Sequence, residues 1–141
     1  MISQPPVFID SVYLIALTLE RDQWHEAAER ARELLGVRPT VTTDGVISEF
    51  LAGTARAQPS VRYQAASIAT ALEEAGNIEV VEQTRELMNA GIDAYRGEFR
   101  HTRLSLQDCI AILVMRERGI MEALTADQEF LRAGITPLMV V

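Results

Sequence analysis

Four acidic residues of the chain have the type and setting of metal-binding carboxylates. Asp10 and Asp127 follow short apolar runs. Glu49 borders an apolar helical strip, and Asp108 opens the most apolar helical segment of the chain. Carboxylates held close together repel one another, and a divalent cation is the simplest way to offset their charge. Because oxygen ligands suit Mg²⁺ or Mn²⁺ and no Cys/His cluster supports zinc, the sequence predicts such a site if the fold gathers these residues.

Each of these acids also has a purely structural explanation. Asp10 could be the N-cap of the helix that follows it. Glu49 could be an ordinary solvated glutamate whose stem packs on the core. Asp108 closes a Ser-x-x-Asp capping arrangement, and Asp127 could lie in a first helical turn capped by Thr125. The residues alone leave both explanations open.

A metal site of this kind needs a sheet whose strand ends meet at one edge. Short β-branched runs alternate with longer helical patterns, which favours an α/β class with a mostly parallel sheet covered by helices. Acids that follow such strands would meet in the crevice at the carboxyl ends of the sheet. The predicted strands are 7–9, 39–42, 78–81, 122–124 and 138–141, and the predicted helices lie near 12–20, 24–35, 45–57, 60–75, 84–99, 106–118 and 127–133.

Length and composition exclude several enzyme classes. The chain has 141 residues, 48% of them hydrophobic, and a net charge of −7, which favours one domain over 1–141 with its own core. All thirteen basic residues are arginine, so Schiff-base chemistry and the lysine of a Walker loop are excluded. A negative net charge also excludes a general polycationic surface, so any contact with nucleic acid must be local.

The sequence indicates a cytoplasmic protein that does not enter a membrane. No basic leader precedes a long apolar run, and the longest apolar runs are about seven residues, against roughly 20 for a membrane helix. The single Cys109 cannot form an internal disulfide, and its apolar segment suits a thiol that packs as a small hydrophobe.

Several segments, taken in order, resemble those of the PIN domains, and within that family the VapC-type toxin ribonucleases of bacterial toxin–antitoxin pairs. The separations of 39, 59 and 19 residues between successive acids also resemble the layout of that family. The matching segments are Phe8-Ile9-Asp10-Ser11, Asp22-x-x-His25-x-x-Ala28, Ser48-Glu49-Phe50-Leu51, Leu104-Ser105-Leu106-Gln107-Asp108-Cys109 and Ala123-Leu124-Thr125-Ala126-Asp127.

The resemblance implies a three-layer α/β/α fold around a mostly parallel five-stranded sheet. It also implies a metal-dependent endoribonuclease that uses Mg²⁺ or Mn²⁺ to hydrolyse RNA phosphodiester bonds. The ions would activate a water molecule and stabilise the charge that develops on the phosphate. By motif position, the acidic quartet that binds them consists of Asp10, Glu49, Asp108 and Asp127.

Five further residues are candidates for supporting roles. Ser11 and Thr125 adjoin the quartet and could orient a carboxylate or a metal-bound water, although helix capping explains them equally well. The only dense basic segment contains Arg96, Arg100 and Arg103 and lies just before the third acid, where it could contact RNA phosphates. The alternative is a solvated helix end whose arginines pair with a nearby glutamate.

The resemblance implies three partners: an RNA substrate, a small antitoxin protein and a second copy of the chain in a homodimer. Apolar helices near 45–57 and 60–75 could border the antitoxin groove. A non-catalytic PIN-like module that binds RNA or a protein is the alternative, and it would be favoured if one quartet acid were missing. A magnesium-dependent phosphatase is disfavoured because no second acid follows Asp10 two residues later, and a serine hydrolase because no Gly-x-Ser-x-Gly segment exists.

Overall fold

The computed structural model describes residues 4–140, and at its centre is a parallel sheet of five strands. The strand order is β3-β2-β1-β4-β5, and every neighbouring pair is parallel. This confirms the predicted α/β class with a five-stranded parallel sheet. The strands are β1 (Val7–Ile9), β2 (Thr40–Thr43), β3 (Ile78–Val81), β4 (Glu122–Leu124) and β5 (Thr136–Pro137).

Six α-helices and one short 3₁₀ helix connect the strands. The six α-helices lie where the sequence predicts them, within a few residues at each end. The seventh predicted helix is a 3₁₀ helix instead, and it ends at Gly134, whose φ of 77° is the left-handed conformation that glycine adopts most easily. The helices are α1 (Ser11–Thr18), α2 (His25–Leu35), α3 (Asp44–Gly53), α4 (Pro59–Glu74), α5 (Arg85–Arg96), α6 (Leu106–Glu117) and the 3₁₀ helix (Gln128–Ala133).

The strand order divides the helices between the two faces of the sheet. From β1 to β3 the chain moves in one direction across the sheet, and from β3 to β4 it returns across β1. Since parallel crossovers are right-handed, α1 to α4 cover one face, and α5 and α6 cover the other. The contacts agree, because α1 touches α2, α3 and α4, whereas α5 packs on α6. The result is the three-layer arrangement that the resemblance implies.

The prediction of the fifth strand at 138–141 is wrong. The strand is Thr136–Pro137, which pairs with β4 through the registers Glu122 with Thr136 and Ala123 with Pro137. Proline has no N–H to donate, but an edge strand needs to pair on one side only and therefore tolerates it. Residue 141 lies outside the described residues.

The buried centre of the sheet explains where the acids lie. β1 is flanked by strands on both sides and covered on both faces, and Val7, Phe8 and Ile9 are all buried, as expected of a central parallel strand. α6 also lies largely within the core, so its first turn reaches the carboxyl edge of the sheet. Within residues 4–140, the helices are too short or too polar to cross a membrane.

Candidate active site

Asp10 is fixed at the carboxyl edge of the sheet by its backbone. Its N–H donates to the carbonyl of Leu124, the last residue of β4, at 3.3 Å. Its side chain is the N-cap of α1 and accepts a bond from the Ser11 N–H at 2.9 Å through Oδ1. The side chain is buried, with 7% of the residue exposed. Asp10 is therefore the predicted helix cap, and it is also a buried carboxylate where ligands of such sheets collect.

Glu49 reaches the same place from α3. The helix begins after β2 with Thr43 as N-cap, whose hydroxyl accepts a bond from the Val46 N–H. Val46 and Phe50 are buried, and Glu49 lies beside that apolar strip on the exposed rim. The Ser11 hydroxyl donates to Glu49 Oε1 at 3.2 Å. Ser11 thus joins the start of α1 to the second acid.

Asp108 opens α6 through a reciprocal pair of bonds with Ser105. The Asp108 N–H donates to Ser105 Oγ at 3.1 Å, and the Ser105 N–H donates to Asp108 Oδ2 at 2.9 Å. This is the capping box that the sequence predicts. The box leaves the other carboxylate oxygen of Asp108 without a hydrogen-bond donor among residues 4–140.

Asp127, not Thr125, is the N-cap of the 3₁₀ helix, so the predicted cap is wrong. Asp127 Oδ1 accepts a bond from the Glu129 N–H at 2.9 Å. The reason is that the helix begins later than predicted, at Gln128. The buried Thr125 hydroxyl instead accepts a bond from the Asp127 N–H at 3.2 Å and also faces Asp10.

The carboxylates perturb one another electrostatically. Burial raises the pKa of Asp10 from 3.8 to about 7, the charges of Asp108 and Glu49 add to this, and the Thr125 hydroxyl opposes it. Desolvation followed by the charge of Asp108 raises the pKa of Glu49, against the bond from Ser11. Desolvation is also the main cause of the raised pKa of Asp108, to which the charge of Asp127 contributes. The structure therefore brings Asp10, Glu49 and Asp108 together, with Asp127 beside Asp108.

The donor set fits a hard divalent cation. In each of the four residues one carboxylate oxygen accepts a bond from the chain, which holds the group in place. Carboxylate oxygens are the ligands that Mg²⁺ and Mn²⁺ prefer. Among the described residues, however, the acids and the Cys and His side chains form no group of three close enough to hold one ion. The four acids lie near one another without forming such a group.

A contact that the sequence analysis missed joins the helices that carry the second and third acids. Gln107 Nε2 donates to Thr43 Oγ1 at 3.2 Å and to Gln83 Oε1 at 2.9 Å. Its amide fills the space beside Gly45, where an added Cβ would lie 2.0 Å from Gln107 Oε1. Gly45 is thus needed for a close approach. A glycine in the first turn of a helix was the available signal.

The three candidate arginines line a cleft beside α6. The cleft has a volume of about 380 Å³, and its walls include Tyr95, Arg96, Arg100, Arg103 and Ser105. We call it the arginine cleft. The alternative explanation from the sequence was that these arginines lie at a solvated helix end and pair with a nearby glutamate. That glutamate, Glu98, instead binds Arg116 through two bonds of 2.7 and 2.6 Å.

A second missed contact connects the arginine cleft to the fourth acid. The Arg103 N–H donates to Glu129 Oε1 at 2.8 Å, and this bond is the main reason that the pKa of Glu129 is lowered. The N–H of Glu129 in turn donates to Asp127. The segment between α5 and α6 is therefore attached to the quartet at two points, through Glu129 and through the capping box of Asp108.

Comparison with known proteins matches the chain to a protein family and to solved structures. The family model described as PIN domain matches residues 7–135. Among solved structures, the fold is similar to that of Mycobacterium tuberculosis VapC20, a sarcin–ricin loop cleaving toxin, with a TM-score of 0.79 and 23% identity. The alignment covers 92% of this chain and 96% of that one. At this level of identity the match is evidence for a shared fold only. No curated protein matches the sequence.

Proposed function

The chain belongs to the PIN domain family, and from this premise we propose that it is a metal-dependent endoribonuclease and the toxin of a toxin–antitoxin pair. One observation carries the proposal. Four carboxylates from four different elements lie near one another at the carboxyl edge of the sheet, and three of them have a raised pKa. A group of this kind is unfavourable without a cation, so its presence is best explained by a metal-dependent reaction.

Asp10, Glu49, Asp108 and Asp127 would hold Mg²⁺ or Mn²⁺. When bound, the ion supplies an activated water and offsets the charge that develops on the scissile phosphate. The chain itself keeps the carboxylates in position, because each has one oxygen bonded to a backbone N–H or to the Ser11 hydroxyl. Ser11 and Thr125 act as positioning residues, since they contact quartet members and do not need to touch the substrate.

Arg96, Arg100 and Arg103 are proposed to bind the RNA backbone. Guanidinium groups suit phosphate oxygens, and a local cluster compensates for the negative charge of the whole chain. The location supports this assignment, because the arginine cleft adjoins the capping box of Asp108 through Ser105.

A small antitoxin and a homodimer are the proposed protein partners, and the cytoplasm is the proposed location. A cleft of about 830 Å³ at the C-terminal end of α1 and the start of α4 supports an antitoxin site, because its lining includes apolar Leu17, Leu19 and Val61. None of the quartet acids is in its lining, so a partner bound there would have to act on catalysis through α1 or through a segment that extends to the quartet.

Cleavage of RNA by the purified, antitoxin-free protein tests the proposed activity. The substrate pool should include ribosomal RNA with an intact sarcin–ricin loop, because the similar VapC20 cleaves that loop. We expect cleavage with Mg²⁺ or Mn²⁺ and none with EDTA or in Asp10→Asn. Glu73→Gln is the matched control, since it also removes one negative charge but from an exposed position on α4. Folded protein that cleaves nothing in either metal would refute the nuclease and favour an RNA- or protein-binding module.

A further inference from the structure

The arginine cleft has a feature that phosphate binding alone does not use. Tyr95, in the last turn of α5, forms part of its wall and is 52% exposed. An exposed aromatic ring beside guanidinium groups is a stacking surface for an unpaired base, and stacking of this kind tolerates any base because each has a π face.

Two of the arginines of this cleft are available to a ligand. Arg96 pairs with Asp93 on the same helix. Arg100 donates from Nη1 to the carbonyl of Gly97 at 3.0 Å, and this bond uses one of its five donors. Within the part of the chain that the structure describes, no carboxylate forms an ion pair with Arg100 or Arg103. The positive charge of Arg100 is therefore not offset by an ion pair, whereas Arg103 also interacts with the charge of Glu129, whose pKa it helps to lower.

The arginine cleft lies beside the acidic quartet, and this position indicates which part of an RNA substrate it would bind. Ser105 lines the cleft and forms the capping box with Asp108. On the other side, the backbone of Arg103 is joined to Asp127 through Glu129. A nucleotide in the cleft is thus next to the phosphate that the quartet would cleave.

We propose that the arginine cleft is a subsite for one unpaired nucleotide next to the scissile phosphate. Tyr95 stacks on its base, and Arg100 and Arg103 bind the phosphates on either side of it. This inference rests on the proposed function and deepens it, because it names the side chains that would hold the nucleotide beside the cleavage point. A base within a duplex is already stacked and cannot lie on Tyr95.

Binding of labelled oligoribonucleotides tests the subsite separately from cleavage. The affinity is measured by fluorescence anisotropy with Mg²⁺ in an Asp10→Asn background, with a mixed-sequence single strand and the corresponding duplex, at several salt concentrations. We expect Tyr95→Ala to weaken single-strand binding by about 5- to 100-fold and Tyr95→Phe by less than about 2-fold. Tyr63→Ala is the control, because Tyr63 is 78% exposed on α4 and lies outside the cleft.

The arginines are tested by the salt dependence of the same binding. Arg100→Ala and Arg103→Ala should each lower the slope of log affinity against log salt by about 0.7, the value for one phosphate contact on a single strand. Arg56→Ala, on the exposed connection between α3 and α4, should leave the slope unchanged.

The outcomes separate the subsite from the nuclease. If the wild-type protein cleaves RNA but Tyr95→Ala binds and cleaves as well as wild type, the subsite is wrong and the nuclease stands. If binding depends on Tyr95 but nothing is ever cleaved, the subsite stands and the nuclease is wrong. Equal affinity for duplex and single strand would overturn the requirement for an unpaired nucleotide, and no binding at all would overturn the subsite.

Discussion

Asp10→Asn should make the metal-free protein more stable than wild type at alkaline pH, although it should also remove the proposed activity. Burial raises the pKa of Asp10 from 3.8 to about 7, so the folded protein binds this proton more tightly than the unfolded chain does. A group of this kind contributes stability that is fully present below its unfolded pKa and is lost as the pH rises through its folded pKa. Asparagine keeps the shape of the side chain and has no proton to lose.

The size of the effect follows from the pKa of Asp10. A rise from 3.8 to about 7 corresponds to about 4 kcal/mol of unfolding free energy between strongly acidic and alkaline pH. From the linkage between proton binding and folding, about 3 kcal/mol of this unfolding free energy is lost between about pH 5 and about pH 8. Glu49 and Asp108 also have raised pKa values, so their contributions have the same sign and steepen the loss.

Urea denaturation in EDTA at these two pH values measures the effect. Wild type should lose about 3 kcal/mol or more, and Asp10→Asn should lose substantially less. Glu73→Gln removes an exposed charge and reports the general effect of net charge, so it should follow wild type. Added Mg²⁺ should raise the unfolding free energy of wild type at alkaline pH, because the ion binds the folded state. The same addition should raise the unfolding free energy of Asp10→Asn much less. An Asp10→Asn protein with the same pH dependence as wild type would refute the reasoning.

Three further outcomes are expected. Asp108→Asn should abolish RNA cleavage and keep the circular dichroism spectrum of the wild type, because the amide still accepts the capping bond; loss of folding would assign Asp108 a structural role only. Gly45→Ala should displace the Gln107 amide and lower the unfolding free energy in urea by roughly 1–2 kcal/mol. Gln107→Ala introduced into the Gly45→Ala variant should not lower the unfolding free energy further. Additive losses of unfolding free energy would show that the two residues are not coupled. Ser11→Ala should raise the Mg²⁺ concentration for half-maximal cleavage by roughly tenfold, because Glu49 loses its hydrogen bond, and an unchanged concentration would contradict that role.

The central strands could be predicted from the sequence because their signals are local. β1 is an uninterrupted buried apolar run, and β2 to β4 lie within a residue of their predicted positions. β5 could not be found in this way. The position of β5 is determined by its pairing with β4. The apolar residues after β5, such as the buried Met139 and the 61% exposed Val140, have the sequence pattern of a strand but do not form one.

In the candidate site, too, features with local sequence signals could be predicted and features that depend on long-range packing could not. The positions of Asp10, Asp108 and Asp127 follow from strand and helix ends, and that of Glu49 follows from the apolar periodicity of α3; the sequence marks both. The contact between Gly45 and the Gln107 amide joins residues that are far apart in the chain, and no local pattern specifies it. For the same reason the sequence could not show that the Ser11 hydroxyl bonds to Glu49, since this depends on how α1 and α3 pack.

A capping role and a metal-binding role, between which the sequence could not decide, do not exclude each other in this fold. Asp10 and Asp127 each cap a helix with one oxygen, and Asp108 completes the capping box of α6 with one oxygen. Such a bond fixes a carboxylate without using its second oxygen. Helices that start at the carboxyl edge of a parallel sheet therefore position their own caps as a cluster. The cluster lowers stability at neutral pH for as long as its charges are not offset, because burial and mutual repulsion both oppose ionisation. A divalent cation would relieve both, so the metal and the folded state should stabilise each other.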